Sequence, residues 1–146
     1  MAATMTESKA KTLKARVSTR IQRSKADVFV PRDFSNIGDA DQVKRVLRQL
    51  VDERKVARLG YGVYARLRTN PLTGQPALAA RGGFDGAVRQ VLGKLNVPWA
   101  ETKVVRDYNA GKTTQVQANS AFEVRGRFNR RLKYKNLEVQ FERAHG

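Results

Sequence analysis

An α+β fold is predicted for this chain on three observations. Apolar residues recur at helical spacing from Val43 to Val51, as on a helix with one buried face. Val56 to Leu59 and Val63 to Leu67 read as short strands around Gly60-Tyr61-Gly62, as in a tight hairpin. Past a stretch rich in turn residues, a second helical stripe precedes several short strand-like segments.

The elements follow in order. Residues 1–6 read as a frayed end. Over 7–23, Ala10, Leu13, Val17 and Ile21 fall at helical spacing among Lys, Arg, Ser and Thr, giving a basic amphipathic helix. Val28-Phe29-Val30 is long enough only for one strand rung or a buried turn. Pro31 opens a short helix through Asn36, because a first-turn position loses nothing by lacking an N–H; Gly38 closes it. Asp39 is a good N-cap, and Gln42 three residues on completes a capping-box-like pair. Val43, Val46, Leu47, Leu50 and Val51 then form one buried stripe. The opposite face carries Asp41, Arg45, Arg48, Gln49 and Asp52, with Lys44 on the flank. Arg54 and Lys55 suit the negative end of the helix dipole. Strands are expected at 56–59 and 63–67, with the glycines between them supplying positive φ.

Helix, short helix, helix, hairpin is the order of a winged helix-turn-helix, assigned to residues 7–69. Asn70-Pro71, Thr73-Gly74 and Gln75-Pro76 mark 70–82 as a linker. Residues 83–144 read as a small α/β C-terminal domain. A helix at 85–95 carries Ala87, Val88, Val91, Leu92 and Leu95 as its stripe. Pro98 breaks the chain, a helix follows at 101–109, and strands follow at 121–125, 131–134 and 137–142. Lys135-Asn136 turns between the last two.

Composition names the class of partner. The chain has 146 residues, enough for one compact domain or two very small ones. Its 40% hydrophobic content is enough to build a core. Lys and Arg total 29 against 13 Asp and Glu, a net charge of +16, so a polyanion is the expected partner. Through Asn70 there are 16 basic and 7 acidic residues, and after it 13 and 6, so the charge belongs to both halves. No apolar run approaches the ~18 residues of a membrane span. The first helix offers only Leu13, Val17 and Ile21 opposite its charges, thin for a membrane surface, and nucleic acid is the better polyanion. Cysteine is absent, which excludes disulfides, thiolate zinc sites and a cysteine nucleophile and is consistent with a cytoplasmic protein. The one histidine, His145, sits beside the C-terminus.

No enzyme and no cofactor are expected. Gly111-Lys112-Thr113 resembles the end of a phosphate-binding loop, but Arg106 stands where its first glycine is required. Asp39-Ala40-Asp41 resembles a metal-binding pair, but a helix N-cap explains it with fewer assumptions. The serines and threonines lack a histidine base in a plausible place.

The candidate DNA-binding residues are Arg32, Gln42, Lys44, Arg45, Arg48, Gln49, Arg58, Tyr61, Arg66 and Arg68. In a helix-turn-helix the second helix presents its solvent face to the major groove. There Arg bonds guanine and Gln bonds adenine. A wing sets Arg58, Tyr61, Arg66 and Arg68 on phosphates or in the minor groove. Tyr61 at an exposed turn is informative because it would bury little there. Two further basic stretches stand apart. Lys9, Lys11, Lys14, Arg16, Arg20, Arg23 and Lys25 are either a phosphate grip or a solvated helix. Arg125, Arg127, Arg130, Arg131, Lys133 and Lys135, with Phe128 and Tyr134 interleaved, read first as strands with basic outward positions. Their alternative is a stacking surface for single strands.

The stretch DVFVPRDFSNIGDADQVKRVLRQLVDERKVARLGYGVYARLRTNP resembles the AbiEi-type winged-helix antitoxins and their stand-alone regulator relatives. Its signature is the apolar run before Pro31, the short helix with Phe34, the 42–50 helix and the closing RLGYGVYAR. TTQVQANSAFEV and LKYKNLEVQFERA resemble the tail of that family, so the likeness spans 27–144. It implies a repressor of double-stranded DNA and, in the full antitoxins, opposition to a nucleotidyltransferase toxin. Relatives usually carry glycine where this chain has Arg54. A repressor reading a palindrome would be a homodimer. The alternatives are an RNA-binding protein using its basic surfaces without reading sequence, and a module that neutralises a toxin by protein contact.

Overall fold

The computed structural model describes residues 12–117, 119–126, 128 and 130–143. The expected helix start at Glu7, the basic residues Lys9 and Lys11, Arg127 and His145 lie outside them. The element order is α1 (Leu13–Arg23), β1 (Val28–Phe29), a 3₁₀ helix (Pro31–Phe34), α2 (Ala40–Asp52), β2 (Val56–Gly60), β3 (Val63–Thr69) and β4 (Pro76–Leu78). It continues with α3 (Gly83–Lys94), β5 (Trp99–Glu101), α4 (Lys103–Asn109), β6 (Ala121–Val124), β7 (Lys133–Tyr134), β8 (Leu137–Glu138) and β9 (Gln140–Arg143). The chain is mixed α+β.

Local chemistry sets the helix ends. The Thr12 hydroxyl accepts from the Ala15 amide, so α1 begins at Leu13. The Asp39 carboxylate accepts from the Gln42 amide at 2.9 Å and opens α2, which buries Val43, Val46, Leu47 and Leu50. α2 ends in a Schellman turn: Lys55 N–H donates to the Leu50 carbonyl and Arg54 N–H to that of Val51. This turn places Arg54 in the left-handed region, φ 61°, where a side chain is strained. α3 ends the same way at Asn96, and α4 at Gly111, φ 74°. Gly111-Lys112 is therefore a helix terminus.

A central sheet runs in the order β1-β3-β2, with β4 pairing the far end of β3. Its two faces are both covered. Phe29, Val56 and Tyr64 face one core with Val17, Ile21, Phe34 and the α2 stripe. Val28, Leu59, Val63 and Ala65 face another with α3, Phe122, Val124, Leu132 and Val139. Successive strand residues point to opposite faces, so Val63 and Tyr64 are both buried, one on each side.

The segment expected as a linker, 70–82, contains a strand. Residues 70–75 do turn, but 76–78 form β4, and the chain on either side of 70–82 meets on one sheet. The other departures are also matters of pairing. β5 pairs β6 ahead of a shortened α4, and the expected strand over 137–142 is divided between β8, which pairs β7, and β9, which runs parallel to β6. The Arg106 guanidinium bonds both Glu123 carboxylate oxygens at 3.2 Å, tying α4 to β6. The hydrogen bond with Glu123 raises the pKa of Arg106, and that from Lys103 lowers the Asp107 carboxyl below its ordinary value. No helix among the described residues is long and apolar enough to cross a membrane.

Candidate nucleic-acid interface

α2 lies against the β2–β3 hairpin, and the alternation of both elements decides which side chains meet. On β2, Val56 and Arg58 share a face, and Arg58 opposes Tyr64 across the ladder. That face looks toward α2. At about 100° per residue, Lys44, Arg48 and Val51 lie on the flank of α2 nearest the hairpin. The result is a groove of about 260 Å³ lined by Lys44, Arg48, Val51, Arg58, Tyr61, Gly62 and Tyr64.

A second groove of about 240 Å³ lies across the hairpin tip and shares Lys44, Tyr61 and Gly62 with the first. Val30, Pro31, Arg32, Leu95 and Arg130 complete its lining. Tyr61, 76% exposed, stands between the two. Gly62 makes the tip possible: its φ is 66°. Gly60 was expected to supply positive φ as well, but it is small for another reason. A Cβ at Gly60 would collide with the Arg131 carbonyl oxygen.

The electrostatics of the tip are one-sided. No Asp or Glu among the described residues lines either groove. Among the described residues, ion pairs engage Lys14, Arg66, Lys94, Lys103, Arg106 and Arg131, and none engages Arg32, Lys44, Arg48, Arg58 or Arg130. Among the described residues, Arg58 bonds the Gly60 carbonyl alone, and Arg32 that of Lys94 at the end of α3. Five mutually repelling cations around an exposed aromatic ring are a surface that an anion relieves.

Lys44, Arg48, Arg58, Tyr61 and Arg32 are thus gathered as candidates. Gln42 and Gln49 sit roughly 140° or more round α2 from Lys44, on the flank near Glu53, which pairs with Lys14 of α1. Arg45 is exposed on the outward face between Asp41 and Asp52. Two candidates fall elsewhere. The Arg66 guanidinium pairs with Asp27 and donates to the carbonyls of Ile21, Gln22 and Ser24. Two of its three nitrogens are thereby held inside the fold, away from the hairpin tip. Arg68 is exposed but opposes Ala77 on β4, at the end of β3 away from the tip. Arg130, assigned from the sequence to outward strand positions, is a groove residue instead. Its Nη1 donates to the Tyr61 carbonyl at 3.0 Å. Nothing local marked it, because its partner is 69 residues away.

α1 carries a separate basic hollow of about 570 Å³ lined by Arg16, Thr19, Arg20, Arg23, Ser24 and Ile37. Arg20 is held there by the Asp33 carbonyl and the Asn36 side chain. No group of three or more potential metal ligands occurs among the described residues.

No curated protein and no solved structure matches this chain. Residues 16–81 match DUF6088, a family of unknown function, a span that includes α2, the hairpin and every gathered candidate except Arg130.

Proposed function

We propose that this protein binds double-stranded DNA through a winged helix-turn-helix and acts as a transcriptional repressor. α1, the 3₁₀ helix and α2 are the helical part, and the β2–β3 hairpin is the wing. The observation that carries the reading is the pair of cationic grooves around Tyr61, lined by Lys44, Arg48, Arg58 and Arg32 and by no carboxylate among the described residues. Arg45 and Arg48 on α2 take the base edges, and the hairpin tip takes the backbone beside them. The resemblance to AbiEi-type antitoxins supports the repressor role. It makes a nucleotidyltransferase toxin the protein partner to seek, and a homodimer in the cytoplasm the form that reads a palindrome.

The test is fluorescence anisotropy on a labelled duplex at several salt concentrations, with unlabelled single-stranded RNA as competitor. Affinity should fall steeply with salt, by ~0.9 in log K per decade of salt for each phosphate neutralised. Arg45→Ala should cost about 1–3 kcal/mol on a selected site and little on random duplex. Arg58→Ala should weaken both alike. RNA that displaces the duplex at equal or lower concentration would replace this reading with single-strand binding, in which Tyr61 stacks on a base.

A further inference from the structure

We propose that the second half of the chain completes the nucleic-acid surface, with Arg130 as a phosphate-binding residue that also positions the hairpin tip. This rests on the reading above and adds a phosphate-binding side chain that lies outside the matched span 16–81.

The placement of Arg130 is built from three contacts. Leu132 is fully buried beside Leu59 and Val63 in the core under the hairpin. The Arg131 backbone lies against Gly60, so close that no side chain fits there. β7, which follows directly, packs on β2. The segment 130–132 is thereby clamped along the hairpin, and Arg130 comes out at its tip. One guanidinium nitrogen holds the Tyr61 carbonyl. Among the described residues the guanidinium has no other hydrogen-bond partner and no carboxylate. An arginine has five N–H donors in a planar fork, which leaves a bidentate edge for a phosphate. The bond to Tyr61 spends little of that capacity and fixes the direction of the rest. Arg32 and Lys44, which line the same groove, are the other cations placed to share the anion.

Arg131 supplies the control. It is the adjacent residue, carries the same charge, and is largely exposed, but it pairs with Glu138 at 2.9 Å. If Arg130 acts by position, replacing it must matter more than replacing its neighbour. The experiment is a salt titration of duplex affinity with the full chain, comparing Arg130→Ala, Arg130→Gln and Arg131→Ala. Thermal melts are recorded for each. Arg130→Gln keeps a donor for the Tyr61 carbonyl and removes the charge, so it serves if the alanine variant melts early. The expected result is a log–log salt slope shallower by ~0.9 for both Arg130 variants, because each neutralises one phosphate fewer, with the Arg131→Ala slope unchanged. Equal losses at 130 and 131 would overturn the proposal and leave only a net-charge effect. A wild-type protein without duplex affinity would instead overturn the reading on which it rests, whatever the variants do.

Discussion

The two ends of the β2–β3 hairpin carry arginines on the same face and use them oppositely. At the tip, Arg58 lines an open groove and, among the described residues, bonds one backbone carbonyl. At the base, Arg66, on the same face, is consumed by Asp27 and three carbonyls at the end of α1. α1 and the 24–27 turn bring the carbonyls of Ile21, Gln22 and Ser24 and the Asp27 carboxylate to the base. α2 arrives at the tip with Lys44 and Arg48. A count of positive charge treats these arginines alike, whereas their neighbours make one a staple and leave the other as an anion site.

The largest effect should come from removing what covers the other face of this hairpin. A fragment ending at Thr73 loses Leu132, α3 and β6, and it exposes Val28, Leu59, Val63 and Ala65 together. The expected outcome is a melt without cooperativity by circular dichroism. A fragment that melts sharply would show that the face toward α1 and α2 suffices on its own. The next effect separates base from tip. Arg66→Ala leaves the part-buried Asp27 carboxylate without its cation and removes a donor from the Ile21, Gln22 and Ser24 carbonyls. It should cost roughly 2–3 kcal/mol in urea denaturation while leaving duplex affinity of the folded protein near wild type. Weakened duplex binding with unchanged stability would move Arg66 back to the interface. The smallest effect concerns a cation outside both tip grooves. Arg54→Gly relieves the left-handed strain at the end of α2 and should stabilise the fold by about 1 kcal/mol, read from the urea midpoint. A lower midpoint would mean that the Arg54 side chain has a packing role larger than its backbone strain.

The helices were legible wherever the signal is local. Asp39 with the Val43–Leu50 stripe fixed α2 closely, because a cap and a periodic face act within a few residues. The hairpin was legible from Gly62, since the tip needs its positive φ. β4 and β5 were not, because three-residue strands among Pro and turn residues exist only when a partner edge is there to pair with them. Most of the candidate site was legible: Lys44 and Arg48 follow from helical spacing and Tyr61 from its turn, Arg32 and Arg58 stand among the same candidates, and only the place of Arg130 was not. The choice among the hairpin arginines was not, since nothing near Arg66 in the chain differs in kind from what surrounds Arg58.

The sequence by itself determined the α+β class, the ends and buried face of α2, the turn at Gly62 and the surplus of positive charge. These depend on backbone geometry, side-chain period and composition, all of which act within a few residues or by simple sum. The tertiary structure alone decided that one sheet is buried on both faces, that Arg66 is neutralised by Asp27, and that Arg130 reaches the Tyr61 carbonyl. Each is a contact between segments distant in the chain, and whether a charge is free or satisfied depends on what those segments bring beside it.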